Sequence, residues 1–216
     1  MFTGFTQETS DFFWELQFNN ERTWFNAHRQ QFESAVHVPF DALANDTLAL
    51  WRQAHPERTW SMHVARIYRD ARRLFGRGPY KEHLWFSLQE RREMCETPML
   101  WFEIGAGDFA RGVGFWEAST VQMQNYRARI DANTAAFEGV IAPLIADARF
   151  VPVGELYKRP RRAVSAALHP WYNCKRPVVE YQQPFGGEVL SPKLPQILVR
   201  DFELLFPYYD FLHGCC

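Results

Sequence analysis

The chain has 216 residues, 47% of them hydrophobic and 23% charged, proportions that fit one globular core and exclude a largely disordered polymer. A formal net charge of -1 provides no overall basic field for nucleic acid or an anionic membrane, so any anion site has to be local. Aromatic residues reach 16%, with 19 phenylalanines, so large rings must fill the core or line a cavity.

In chain order, the first quarter reads as helices. Thr6 opens an amphipathic stretch carrying Phe12, Phe13 and Leu16, which ends at Asn19-Asn20. Asn20 is the expected cap of a second helix with Trp24, Phe25, Phe32 and Val36 at helical spacing, which Pro39 should break or kink. Phe40, Leu43, Ala44, Thr47, Leu48 and Trp51 continue the pattern until His55-Pro56. From about residue 62 the texture becomes that of strands: 62–68, 83–88, 99–104 and 109–116, the last two joined by the hairpin chemistry of residues 105–108. Ser119 and Gln122 form a capping box before a helix with Met123, Tyr126 and Ile130, and a shorter helix carries Phe137, Val140, Ile141 and Leu144. Residues 150–190, dense in proline and glycine, read mostly as loop. Ser191-Pro192 starts a last helix with Leu194, Ile197, Leu198 and Leu205, expected to end at Pro207. The fold expected is α+β: N-terminal helices, an antiparallel meander in the middle and C-terminal helices, in one domain over residues 1–216.

The least ordinary stretch runs from Arg66 to Lys81 and holds six basic residues against one acid. Crowded guanidinium groups repel unless carboxylates, water or a bound anion separate them, and their fork geometry suits a bidentate anion. On an extended strand Arg66, Tyr68, Asp70 and Arg72 share one face, whereas a helix would cluster Arg66, Arg69, Asp70 and Arg73. Either arrangement puts Asp70 beside an arginine. Gly76 and Gly78 serve a turn or a close backbone approach to a ligand.

The spacing of Arg66, Arg69, Asp70, Arg72 and Tyr80, continued by Pro79-Tyr80-Lys81 and His83, resembles the signature of DUF2461, a sparsely distributed family of uncharacterised bacterial proteins of similar length. Arg73 stands where that family usually has phenylalanine, and Gly76-Arg77 where it tends to have an acid or amide followed by lysine. Asn19-Asn20 with Trp24-Phe25, the run Gly112-Val113-Gly114-Phe115-Trp116, Tyr157-Lys158-Arg159 and His169-Pro170 resemble further parts of its pattern. The resemblance implies a mixed helix and sheet fold and no activity.

Other motifs are ordinary. Gly105 to Ala110 matches a dinucleotide fingerprint in spacing, but a strand follows it where a pyrophosphate needs a helix N-terminus. The seven histidines are scattered without metal-ligand spacing, there is no nucleophile elbow, and Cys95, Cys174, Cys215 and Cys216 read as free thiols. Neither cofactor nor metal is expected. Cys215-Cys216 is not a prenylation box, and without a leader or a span of ~20 apolar residues the expected location is the cytoplasm. Lys158-Arg159-Pro160-Arg161-Arg162 reads as an exposed charged loop.

The functional expectation is a small anionic ligand, a phosphate or carboxylate, held by Arg66, Arg69 and Arg72, oriented by Asp70 and closed in by Tyr80, Lys81 and His83. It extends to an enzyme acting on an acidic metabolite, although no catalytic motif names a reaction. The first alternative is a non-catalytic module in which the same residues form an internal ion-pair network. The second is a single-strand nucleic-acid binder using aromatics beside basic residues, which the near-neutral total charge disfavours.

Overall fold

The computed structural model describes residues 1–70, 72, 74, 76–91 and 95–216. Ala71, Arg73, Phe75 and Arg92 of the basic stretches lie outside them. The fold is α+β. Helices α1 (Gln7–Phe18), α2 (Arg22–Ala27) and α3 (Arg29–Gln31) lead through a π-helical turn, Phe32–His37, into α4 (Val38–Ala54). Strands β1 (Ser61–Val64), β2 (His83–Gln89), β3 (Met99–Gly105) and β4 (Asp108–Gly114) form the expected antiparallel meander. Then come α5 (Thr120–Ala132), α6 (Thr134–Asp147), β5 (Val151–Pro152), α7 (His169–Tyr172), β6 (Val178–Pro184), a 3-10 turn at Gly187–Leu190, and α8 (Leu194–His213).

The strand order is β1-β2-β3-β4-β6-β5, and every pairing is antiparallel. The loop expected over 150–190 therefore contributes two strands, one of them the seven-residue β6 beside β4. Pro177 and Pro184 did not prevent this, because they stand just before and at the end of β6, where a missing N–H costs no interior ladder bond.

Two other prolines leave their helices unbroken, Pro39 with a distorted turn before it. The helix passes through Pro39, and the widened π turn lies immediately before it, where a proline ring crowds the carbonyl four residues back. Helix α8 continues past Pro207 to His213, because the residues beyond it, Tyr208, Tyr209 and Leu212, are buried.

Alternation along the strands sorts side chains onto two faces. One face is covered by α4 and α8: Phe86 and Phe102 meet Phe40 at ring separations of 5.8 and 6.3 Å. The same face buries Arg111 completely, with Nε donating to Asp201 Oδ2 of α8 at 2.7 Å and Nη2 to Glu188 Oε2 at 2.8 Å. Arg149 reaches the other oxygen of Asp201 at 3.2 Å. Among the described residues the opposite face carries no helix partner for Trp85, Trp101, Glu103 and Glu180, and it remains partly open. No helix among the described residues is long and apolar enough to cross a membrane.

Candidate functional site

The Arg66 to Lys81 segment folds as a clip. Tyr68 and Tyr80 form an antiparallel bridge, with Arg69 N donating to Pro79 O at 2.8 Å and Lys81 N to Ile67 O at 2.7 Å. Up to Asp70 the extended alternation holds: Ala65 and Ile67 are buried, while Arg66, Tyr68 and Asp70 are exposed. Asn20 does not cap the second helix, whose cap is Glu21. Its amide clasps the clip instead, with Nδ2 donating to Tyr80 O at 3.0 Å and Oδ1 accepting from Tyr80 N at 3.0 Å. Gly78 gives it room, since a Cβ there would collide with the Asn20 side chain.

The arginines of the clip do not point to one ligand. Arg69, 10% exposed, donates Nε to Tyr80 O at 2.7 Å and pairs with Glu82 at 3.1 Å. Arg72 is 89% exposed and pairs with Asp70 at 2.7 Å. Arg66 lines a separate hollow with Arg29. Tyr80 is a core residue stacked on Phe25 at 4.0 Å. Lys81 donates Nζ to Arg66 O at 2.7 Å and also lies in the field of Glu103, while His83 sits 3.8 Å from Glu103. Of the seven residues singled out in the sequence, Lys81 and His83 thus lead to the open face of the sheet.

That face holds a hollow of about 170 Å³ lined by Trp85, Trp101, Trp116, Glu103, Arg176 and Glu180, among others. Register explains the grouping: Trp85 lies opposite Glu103, and Trp101 lies opposite Gly112, which lies opposite Glu180. Strand β4 supplies a floor of small residues here. A Cβ on Gly112 would come within 2.8 Å of the Trp101 indole, so the glycine lets that ring lie down on the strand. Trp116, just past β4, stacks on Trp85 at 5.5 Å with the ring planes 16° apart, and His63 adds a third ring at 5.1 Å from Trp85.

Titratable groups around the hollow are displaced from their ordinary behaviour. Burial, with Glu180 and Asp108 nearby, pushes Glu103 up to about 7, against the opposing pull of Lys81. Burial and Asp108 raise Glu180 as well. His83 is lowered by burial and by the charges of Lys81 and Arg69, and Lys81 is lowered by burial and Arg69. Burial and Arg91, Lys81 and Arg66 lower His63. A carboxyl displaced to about 7 is shared between its acid and base forms near neutrality, beside an imidazole biased toward its neutral form. Such a pair can both give and take a proton, and clustered displaced groups in a cleft are what acid–base chemistry requires.

Other chemistries find less. Among the described residues no group of three His, Cys, Asp or Glu side chains is placed to hold a metal ion. Burial pushes the Cys174 and Cys215 thiols up to about 11, which leaves them poor nucleophiles. In the second basic run, Arg162 pairs with Asp131 and Arg161 lies 4.2 Å above the Tyr157 ring.

The sequence did not single out Trp85, Trp101, Trp116, Glu103 or Glu180. The available signal was an acid two residues after a tryptophan inside an apolar strand, Trp101-Phe102-Glu103, which alternation puts on the same face. No curated protein matches the chain significantly. A family model described as a conserved hypothetical protein, DUF2461, matches residues 8–211, and the chain belongs to that family.

Proposed function

We propose that the chain binds a small ring-bearing organic ligand on the open face of its sheet, and that Glu103 and His83 move a proton to or from that ligand. The observation that carries this reading is the convergence of three indoles and two carboxyl groups on one hollow. Its volume, about 170 Å³, is close to the roughly 150 Å³ of an apolar cavity that accepts benzene, so one ring fits and a larger ligand enters only in part. Indole faces favour a flat apolar or cationic surface, while Glu103, Glu180 and Arg176 offer acceptors and donors to substituents at its edge. The displaced protonation of Glu103 and His83 supports the proton-transfer role.

The anion clasp expected from Arg66, Arg69 and Arg72 has less support. Pairing of Arg69 with Glu82 and of Arg72 with Asp70 favours an internal ion-pair role for that stretch. Single-strand binding on the tryptophan face is opposed by Asp108 and by the ionised fractions of Glu103 and Glu180, which would repel phosphates.

The test is indole N–H NMR of the full chain against single-ring compounds bearing hydroxyl, amino or carboxyl groups. Binding compounds should shift Trp85, Trp101 and Trp116, and Glu103→Gln should weaken them by up to about tenfold for a lost hydrogen bond. Compounds that shift none of the three indoles, or that bind equally to Trp85→Ala and Glu103→Gln, would contradict the proposal.

A further inference from the structure

A second hollow, of about 390 Å³, lies between the helical arm and the chain leaving β1. Phe25, Phe32, Phe40, Ile67 and Leu84 give it an apolar wall, and Arg29 and Arg66 bring two guanidinium groups to it. The volume lies within the range typical of small-molecule pockets. Part of the wall comes from the π-helical turn, whose Phe32, Glu33 and His37 all line the hollow, and π turns recur at functional sites.

Charge accounting separates this hollow from the clip. The two acids in its lining, Glu33 and Asp41, lie 3.3 and 3.7 Å from His37, contacts that are ion pairs only when the imidazole is protonated. Among the described residues neither Arg29 nor Arg66 has a carboxylate within ion-pair distance, unlike Arg69 and Arg72. Two guanidinium groups that line one cavity with no carboxylate among the described residues within ion-pair distance keep their N–H forks for an added acceptor, and a guanidinium receives a carboxylate through paired N–H bonds. The aromatic wall disfavours a bare, fully hydrated anion.

We propose that this hollow binds an organic carboxylate with an apolar body, the carboxylate between Arg29 and Arg66 and the body against Phe25, Phe32 and Phe40. The site is distinct from the open-face hollow and does not depend on it. It keeps one arginine of the sequence signature, Arg66, and pairs it with Arg29 in place of Arg69 and Arg72.

Calorimetric titration of the full chain with benzoate, benzyl alcohol and inorganic phosphate tests the proposal. Benzoate should bind, with benzyl alcohol and phosphate each weaker by about tenfold or more. Arg66→Gln and Arg29→Gln should each weaken benzoate about tenfold, and because both side chains are exposed, the melting temperature should hold. Arg29→Lys, which keeps the charge and loses the fork, should fall between wild type and Arg29→Gln. NMR shifts should appear at Tyr68 and His37 and spare Trp85 and Trp101. The proposal is overturned if wild type binds no benzoate at millimolar concentration, if phosphate binds as tightly, if neither glutamine variant weakens benzoate, or if the shifts fall on the tryptophans.

Discussion

The two faces of one sheet, built from alternate residues of the same strands, treat charge in opposite ways. On the covered face Arg111 is fully buried and meets Asp201, Glu188 and Gln183, a set of acceptors that answers most of its donors. On the open face Glu103 is 40% exposed, meets only His83, at 3.8 Å, as an ion-pair partner among the described residues, and has its protonation displaced by its surroundings. A buried charge with its hydrogen bonds complete belongs to the architecture. A half-open carboxyl among indoles, held near its titration point, is available for chemistry.

The largest expected effect breaks the covered face. Asp201→Ala leaves Arg111 buried without its main partner, so denaturant unfolding should show a loss of about 3–5 kcal/mol, whereas a loss below about 1 kcal/mol would mean that the network is dispensable. A smaller effect separates the two paired arginines of the clip. Arg69→Ala removes a little-exposed side chain that ties Tyr80 O and Glu82 and should cost about 1–3 kcal/mol, while Arg72→Ala at the surface should leave the unfolding midpoint unchanged in the same assay. Equal losses would remove the distinction between a structural pair and a solvated one.

Much of the fold was legible in the sequence, because short runs of apolar, β-branched and aromatic residues separated by turn formers mark β2, β3 and β4, and the Ser119–Gln122 box marks α5. The errors cluster at prolines. Pro177 and Pro184 frame β6 rather than break it, and the helix carrying Pro207 survives because tertiary burial outweighs its local cost. The site was less legible. Arg66 to Lys81 stood out by charge density, yet density does not reveal that Glu82 comes back to neutralise Arg69. Nor does Leu84-Trp85-Phe86, apolar at every position, disclose that helices cover only the phenylalanine and leucine. The basic clip and the tryptophan hollow meet through Lys81 and His83, which is why part of the expectation leads to the open face.

Folding raises the pKa of Glu103, so the folded chain holds that proton more firmly than the unfolded one does. The stability this contributes is complete below about pH 4.5 and is lost as pH rises through about 7. Full burial would make the change about 3 kcal/mol, and screening of a side chain 40% exposed reduces it to about 1 kcal/mol. The groups facing it, Glu180 and Asp108 on one side and Lys81 and His83 on the other, set the balance. Carboxyl carbon NMR of Glu103, followed through a pH titration of the intact chain, reads that balance directly. A midpoint at about 7 is predicted, and a midpoint at the ordinary 4.5 would contradict the proton-transfer role of the open face.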